Sequence, residues 1–204
     1  MTRPDGEYHP KQKRADQKKS RLLDAALELF SSEGYHGATA KAIAAQAGVA
    51  TGSFYRYFRD KKVVFMAICL RMEEKLGGRI FELGAQMRSE GRPEREVLAE
   101  LIRFAVAGHE HHKAFHREVL ALQIQDPDVA AWCRRREARL VAALLAFLQP
   151  MRSSYRVDDL EAAAEMVYYA IEETAHRAVI FDSPLGQERL IGELQDMLTR
   201  YLFA

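Results

Sequence analysis

The chain has few of the features that would mark it as secreted, membrane-spanning or catalytic. Only two of its 204 residues are cysteine, Cys69 and Cys133, far apart and each inside a helical pattern. That excludes a disulfide scaffold and reads as two reduced core thiols. No apolar run approaches the length of a membrane span. The opening MTRPDGEYHPKQKRADQKKS contains no apolar signal-peptide core, so the cytoplasm is the expected location. No stretch shows the period-two alternation of a half-buried strand. P-loop, GxGxxG, GxSxG and HExxH motifs are also missing, which argues against an enzyme and leaves no cofactor to expect.

What is present is helix. Nearly half the residues are apolar, enough for a sizeable core, and they recur at helical spacing along almost the whole chain. The pattern predicts an all-α protein of about nine helices. The first four run over about 18–33, 40–47, 51–58 and 61–89. The others run over about 94–110, 114–123, 127–149, 159–181 and 185–202. Asp126-Pro127 is a cap-and-N1 pair, and Pro150 stops the helix it opens. Net charge is only +1, but unevenly spread. Through Met66 there are twelve basic residues against seven acidic ones, the imbalance expected of a nucleic-acid-binding end. Arg3, Lys11 and Lys13 would form a basic arm ahead of the first helix.

Residues 21–65 carry the most specific signal. Leu22, Leu23, Ala26, Leu29 and Phe30 make one apolar helix face, and Gly34 follows where a helix stop favours positive φ. Thr39 is placed to cap a short second helix, Gly48-Val49 to turn the chain, and Asp60 to cap the fourth helix. Two short helices across a glycine turn, packed on a longer one, form a helix-turn-helix, whose second helix enters the major groove. That helix carries Thr51, Ser53, Tyr55, Arg56 and Tyr57, side chains suited to a groove.

This segment resembles the N-terminal domain of the TetR family of bacterial transcriptional repressors. The resemblance rests on Ala25-Ala26, Leu29-Phe30, Gly34, Thr39, Ile43-Ala44, Ala47-Gly48-Val49, Gly52, Phe54-Tyr55, Phe58 and Lys61. It implies a DNA-binding domain over 1–66 and an effector-binding, dimerising domain over 67–204. It further implies a homodimer on a palindromic operator, joined through the last two helices, and release by a small, largely hydrophobic effector. The fourth helix, shared by both domains, is the expected transmitter.

Thr51, Gly52, Ser53 and Arg56 are the expected groove positions, with Tyr55, Tyr57, Lys61 and the capped end at Thr39 on phosphates. Thr51 and Tyr57 stand where the family often has Lys and His, so the operator is not inherited. The expected effector residues are Met72, Phe104, Trp132, Tyr169, Glu172 and His176, with Glu172 and His176 as polar anchors for a ligand bearing a donor or cationic group. From the residues alone, Glu172 and His176 read first as groups satisfied in a core or a dimer interface; the resemblance raises the pocket reading. Val179 and Leu194 are expected in the dimer contact.

Two constellations point elsewhere. His109, His112 and His116 fall at i, i+3 and i+7, but a helix junction interrupts them and no metal is expected. Glu173 and His176 form an ExxH without the second motif that a di-iron bundle needs. The alternative function is a helical ligand-binding or catalytic protein that keeps the helix-turn-helix as scaffold. Salt-dependent binding to genomic DNA separates the two.

Overall fold

A computed structural model of the chain describes residues 10–203, with side chains from Arg14 onward. Arg3 and the side chains of Lys11 and Lys13, expected in the basic arm, lie outside them. The described residues form nine α-helices and no strand, in two compact units that meet in sequence between Arg71 and Met72. No helix among them is long and apolar enough to cross a membrane.

The first unit holds α1 (Pro10–Gly37), α2 (Ala40–Gln46), α3 (Thr51–Tyr57) and the start of α4 (Lys61–Ser89). Helix α1 begins about two turns earlier than its apolar stripe suggests. Those turns are Lys-, Arg- and Gln-rich, good helix formers with no apolar periodicity to show in the pattern. Its helical geometry breaks at Gly34, where φ is +74°. Leu22, Ala26 and Phe30 on α1 are fully buried with Ile43, Phe54, Phe65 and Ile68. Phe30 and Phe65 meet edge-on at 5.5 Å, and Tyr35 closes the cluster at 5.6 and 5.4 Å from them.

The turn between α2 and α3 follows from local chemistry. Thr39 Oγ1 accepts the Ala42 N–H at 3.1 Å. At the other end, Gly48 N–H donates to Ala45 O and Val49 N–H to Ala44 O, both at 3.0 Å. This is the Schellman pairing, and it needs the positive φ of +63° that Gly48 adopts. Asp60 Oδ1 then accepts the Val63 N–H at 2.9 Å and starts α4.

The second unit comprises the rest of α4 with α5 (Glu94–Gly108), α6 (Lys113–Gln125), α7 (Pro127–Leu148), α8 (Leu160–Ala175) and α9 (Gln187–Leu202). Helix α7 packs on α6 and α8, and α5 on α8 and α9. Asp126 caps α7 through the Asp128 and Val129 N–H groups, and Asp159 caps α8 through that of Ala162. Small residues let the helices approach: Ala163, Ala164 and Ala175 are fully buried beside Ile102, Val106 and Leu202.

Two features depart from the sequence pattern. The helix expected to run unbroken to 181 changes at His176 into a π turn over His176–Ile180, whose end is held by Arg117 Nη2 donating to Ile180 O at 2.8 Å. Val179 and Leu194, expected at a dimer contact, are buried inside the protomer instead. The large hydrophobic side chains left exposed on these helices are Met166 and Tyr169 on α8, and Met197 and Tyr201 on α9.

Candidate functional site

In the first unit, α3 turns Phe54 into the core and presents Thr51, Gly52, Tyr55 and Arg56 outward, with Ser53 and Tyr57 half-buried. Tyr55 keeps 59% of its surface exposed, its ring edge-on to Phe54 at 5.3 Å. A Cβ built on Gly52 would meet no atom of the chain within 4 Å. The fold therefore does not require glycine there, whereas a partner approaching this face closely would. Thr39 is exposed at the N-terminus of α2, its Oγ1 engaged as the cap.

Lys61 departs from expectation. Its ammonium donates to the carbonyls of Tyr35 (2.7 Å), Ala38 (3.0 Å) and His36 (3.4 Å), and lies 4.5 Å from the Tyr35 ring centroid. Partial burial draws its pKa below the ordinary lysine value. An ammonium has three donors, and all three are used on the end of α1, where a cation meets the negative pole of the helix. In this conformation Lys61 joins α4 to α1 and is not available to a phosphate.

The second unit holds a partly open cavity of about 170 Å³. Its walls are largely apolar, with Leu76 and Ile80 from α4, Leu101 from α5, Leu144 from α7, and Val167 and Ile171 from α8 among them. The lining residues of α4 extend from Glu73 to Arg88. The fifteen helical rises between them span about 22 Å, so the lining is drawn out along α4. Charged groups stand at both limits of that stretch. Arg88 pairs with Glu94 at 3.2 Å and stacks 4.0 Å over the Phe147 ring. Glu73 pairs with Arg136 at 3.1 Å.

Glu172, His109 and Tyr168 also line the cavity. His109 Nε2 is 3.6 Å from one Glu172 oxygen, and His176 Nε2 is 3.9 Å from the other. Glu172 keeps 27% of its side-chain surface, which opens onto the cavity. Burial alone would raise its carboxyl pKa, but His109 and Arg136 outweigh burial and hold it at about 2. Burial opposes the charge on His109, yet the Glu172 carboxylate wins and raises its pKa. His116 stacks on His109 at 4.8 Å between ring centroids, and burial followed by the charge of His109 lowers its pKa to about 3. His116 is therefore neutral, while Glu172 faces His109 and Glu73 pairs with Arg136.

Of the expected effector residues only Glu172 lies on this wall, with His176 directly behind it. Met72, Phe104, Trp132 and Tyr169 do not line it. The reason is rotational: one residue along a helix turns a side chain by about 100°. On α8 the lining positions are 167, 168, 171 and 172, so Tyr168 faces in and Tyr169 is 46% exposed. On α4 the lining begins at Glu73 and not Met72. Phe104 falls between the inward Leu101 and Ala105, and the α7 lining starts one turn beyond Trp132, at Arg136. Tyr168, His109 and Arg136 were not foreseen. Spacing groups His109 with His112 and His116; the fold keeps His116 beside it and adds Glu172 and His176, more than sixty residues on.

A helix-turn-helix unit followed by a helical unit with a largely apolar cavity defines a ligand-responsive DNA-binding regulator. Comparison with known proteins agrees. Residues 22–68 match the model of the tetR family of bacterial regulatory proteins, and residues 93–202 match a tetracyclin repressor-like C-terminal domain. The chain belongs to the TetR family and is a ligand-responsive transcriptional repressor.

It is 26% identical to the fatty acid metabolism regulator protein of Bacillus subtilis (strain 168), over 92% of this chain and 96% of the relative. Its fold is that of Thermus thermophilus FadR, a TetR-family repressor solved with lauroyl-CoA (TM-score 0.68, 24% identity, 91% of this chain and 95% of that one). A transcriptional regulator from Rhodococcus sp. Rha1 shares the fold too (TM-score 0.70, 19% identity, 91% and 98%).

Proposed function

We propose that this repressor acts in the cytoplasm as a homodimer on a palindromic operator, and that a fatty-acyl compound releases it. The observation that carries the effector class is the largely apolar cavity drawn out along α4, with charged groups at both limits of that wall. An acyl chain matches the apolar length, and a polar head matches a charged limit. The kinship to a fatty acid metabolism regulator and the lauroyl-CoA complex of the Thermus protein support this reading. A cationic head, suggested by Glu172 on its own, loses its rationale because that carboxylate already faces His109 at 3.6 Å.

The mechanism is a population shift. Ligand filling the cavity favours the dimer conformation whose recognition helices are wrongly spaced for two half-sites one DNA turn apart. Helix α4, continuous across both units, is the proposed transmitter.

Operator release by lauroyl-CoA, lauric acid and a dodecyl ammonium salt tests the effector class. The acyl compounds are expected to release DNA and the ammonium salt to do so poorly. In Leu144→Trp, which fills the cavity, the acyl concentration needed should rise at least tenfold. Release by every amphiphile alike, or a Leu144→Trp protein that responds as wild type, overturns the acyl reading.

At the DNA, Thr51, Gly52, Ser53 and Arg56 are proposed to face base edges, and Thr39, Tyr55 and Tyr57 phosphates. Arg56→Ala is expected to cost about 1–3 kcal/mol on the cognate operator and to relax sequence preference at one base pair in each half-site. Tyr55→Phe should weaken all sequences alike. Binding measured across an operator library separates the two. Uniform losses for both variants would mean that Arg56 contacts only phosphate.

A further inference from the structure

Among the described residues one group of three or more His, Cys, Asp and Glu side chains brings its donor atoms close enough to share a metal ion. It consists of His109, Glu172 and His176, whose ligand atoms all lie within 4.8 Å of one another. We propose that these three side chains form a zinc-binding site whose open coordination position faces the apolar cavity.

The geometry is that of a prepared site. His109 Nδ1 lies 3.0 Å from Ala105 O. Only an N–H can face a carbonyl at that distance, so Nδ1 carries the hydrogen and Nε2 is directed at Glu172. A backbone carbonyl that fixes the ring of a ligating histidine in this way is a recurrent companion of metal sites. Glu172 and His176 stand one turn apart, and the helix widens into its π turn at His176 itself. Such turns are rare and recur at functional sites.

His109 Nε2 is 3.6 Å from Glu172 Oε1, His176 Nε2 is 3.9 Å from Glu172 Oε2, and the three ligand atoms lie within 4.8 Å of one another. Bonds of zinc length in a tetrahedron require about 3.4 Å between donors, within reach of small side-chain rotations. Two imidazoles and a carboxylate favour zinc over magnesium or calcium, which take oxygen ligands. The nearby positive charge of Arg136 is countered by Glu73 at 3.1 Å. Zinc would take the place between His109 and Glu172 that a shared proton can otherwise hold. Since both residues line the cavity while His176 lies behind them, the fourth position opens inward, where water or an oxygen atom of an effector completes the tetrahedron.

The test uses the full chain, stripped of metal with chelator and titrated with zinc sulfate alone, without DNA or acyl compound. Its result is therefore independent of the acyl reading. One zinc ion per chain is expected to bind. Glu172→Gln and His176→Gln should each weaken it at least tenfold, while His111→Gln, at an exposed neighbour, should not. X-ray absorption of the zinc-loaded wild-type protein should show two imidazole nitrogens and a carboxylate oxygen, which needs no variant to fold. Failure to bind zinc, equal affinity in the Glu172→Gln and His176→Gln proteins, loss of binding in His111→Gln, or a different ligand set overturns the site.

Discussion

Phe30→Ala is expected to destabilise the DNA-binding unit by about 3–5 kcal/mol, the usual cost of removing a buried ring whose cavity cannot collapse. Phe30 is fully buried and touches two further rings, Tyr35 and Phe65, which are themselves held in place by it. Through Phe65 it ties α1 to α4, and through Tyr35 it supports the segment whose carbonyls receive Lys61. A unit of this size has little more stability than the loss amounts to. Specific operator binding should therefore fall below detection at 37 °C. Amide hydrogen exchange distinguishes this from a general collapse: protection should vanish in α1–α3 and persist in α8 and α9. Wild-type protection throughout α1–α3 would show that the aromatic cluster is not what holds the recognition helix.

The second large effect concerns assembly. Met166→Glu combined with Met197→Glu is expected to give a folded monomer that binds the operator about a hundredfold or more weakly, because the second half-site no longer adds to the first. The choice of residues comes from the structure. Charges at Val179 or Leu194 would enter the protomer core and unfold it, whereas Met166 and Met197 are exposed and leave the core intact. Apolar side chains exposed on two neighbouring helices are what a dimer face of a four-helix bundle would cover. Sedimentation with operator titration decides. A double variant that sediments as a dimer with wild-type operator affinity places the contact on another face.

The DNA-binding unit was legible in the sequence because its determinants are local. Thr39, Gly48 and Asp60 each act within five residues of themselves, through a cap, a positive φ and another cap. The division of α3 into Phe54 inward and Thr51, Tyr55 and Arg56 outward follows from helical periodicity alone. The all-helical class and the cap at Asp126 were legible for the same reason.

What only tertiary structure decided depends on contacts between distant residues or on the rotation of whole helices. Lys61 looked available for DNA until the fold brought carbonyls 23 to 26 residues upstream within reach of its ammonium. Tyr168 and Tyr169 are equivalent as sequence, and the packing of α8 against α5 and α7 sends one into the interior and the other to solvent. The π turn at His176 adds a residue to the helical repeat where periodicity predicts none. The meeting of His109 with Glu172 and His176 joins the ends of two helices. Periodicity shows that a helix has an inner face, but which residues share a cavity is set by how the neighbouring helices pack and rotate about their axes.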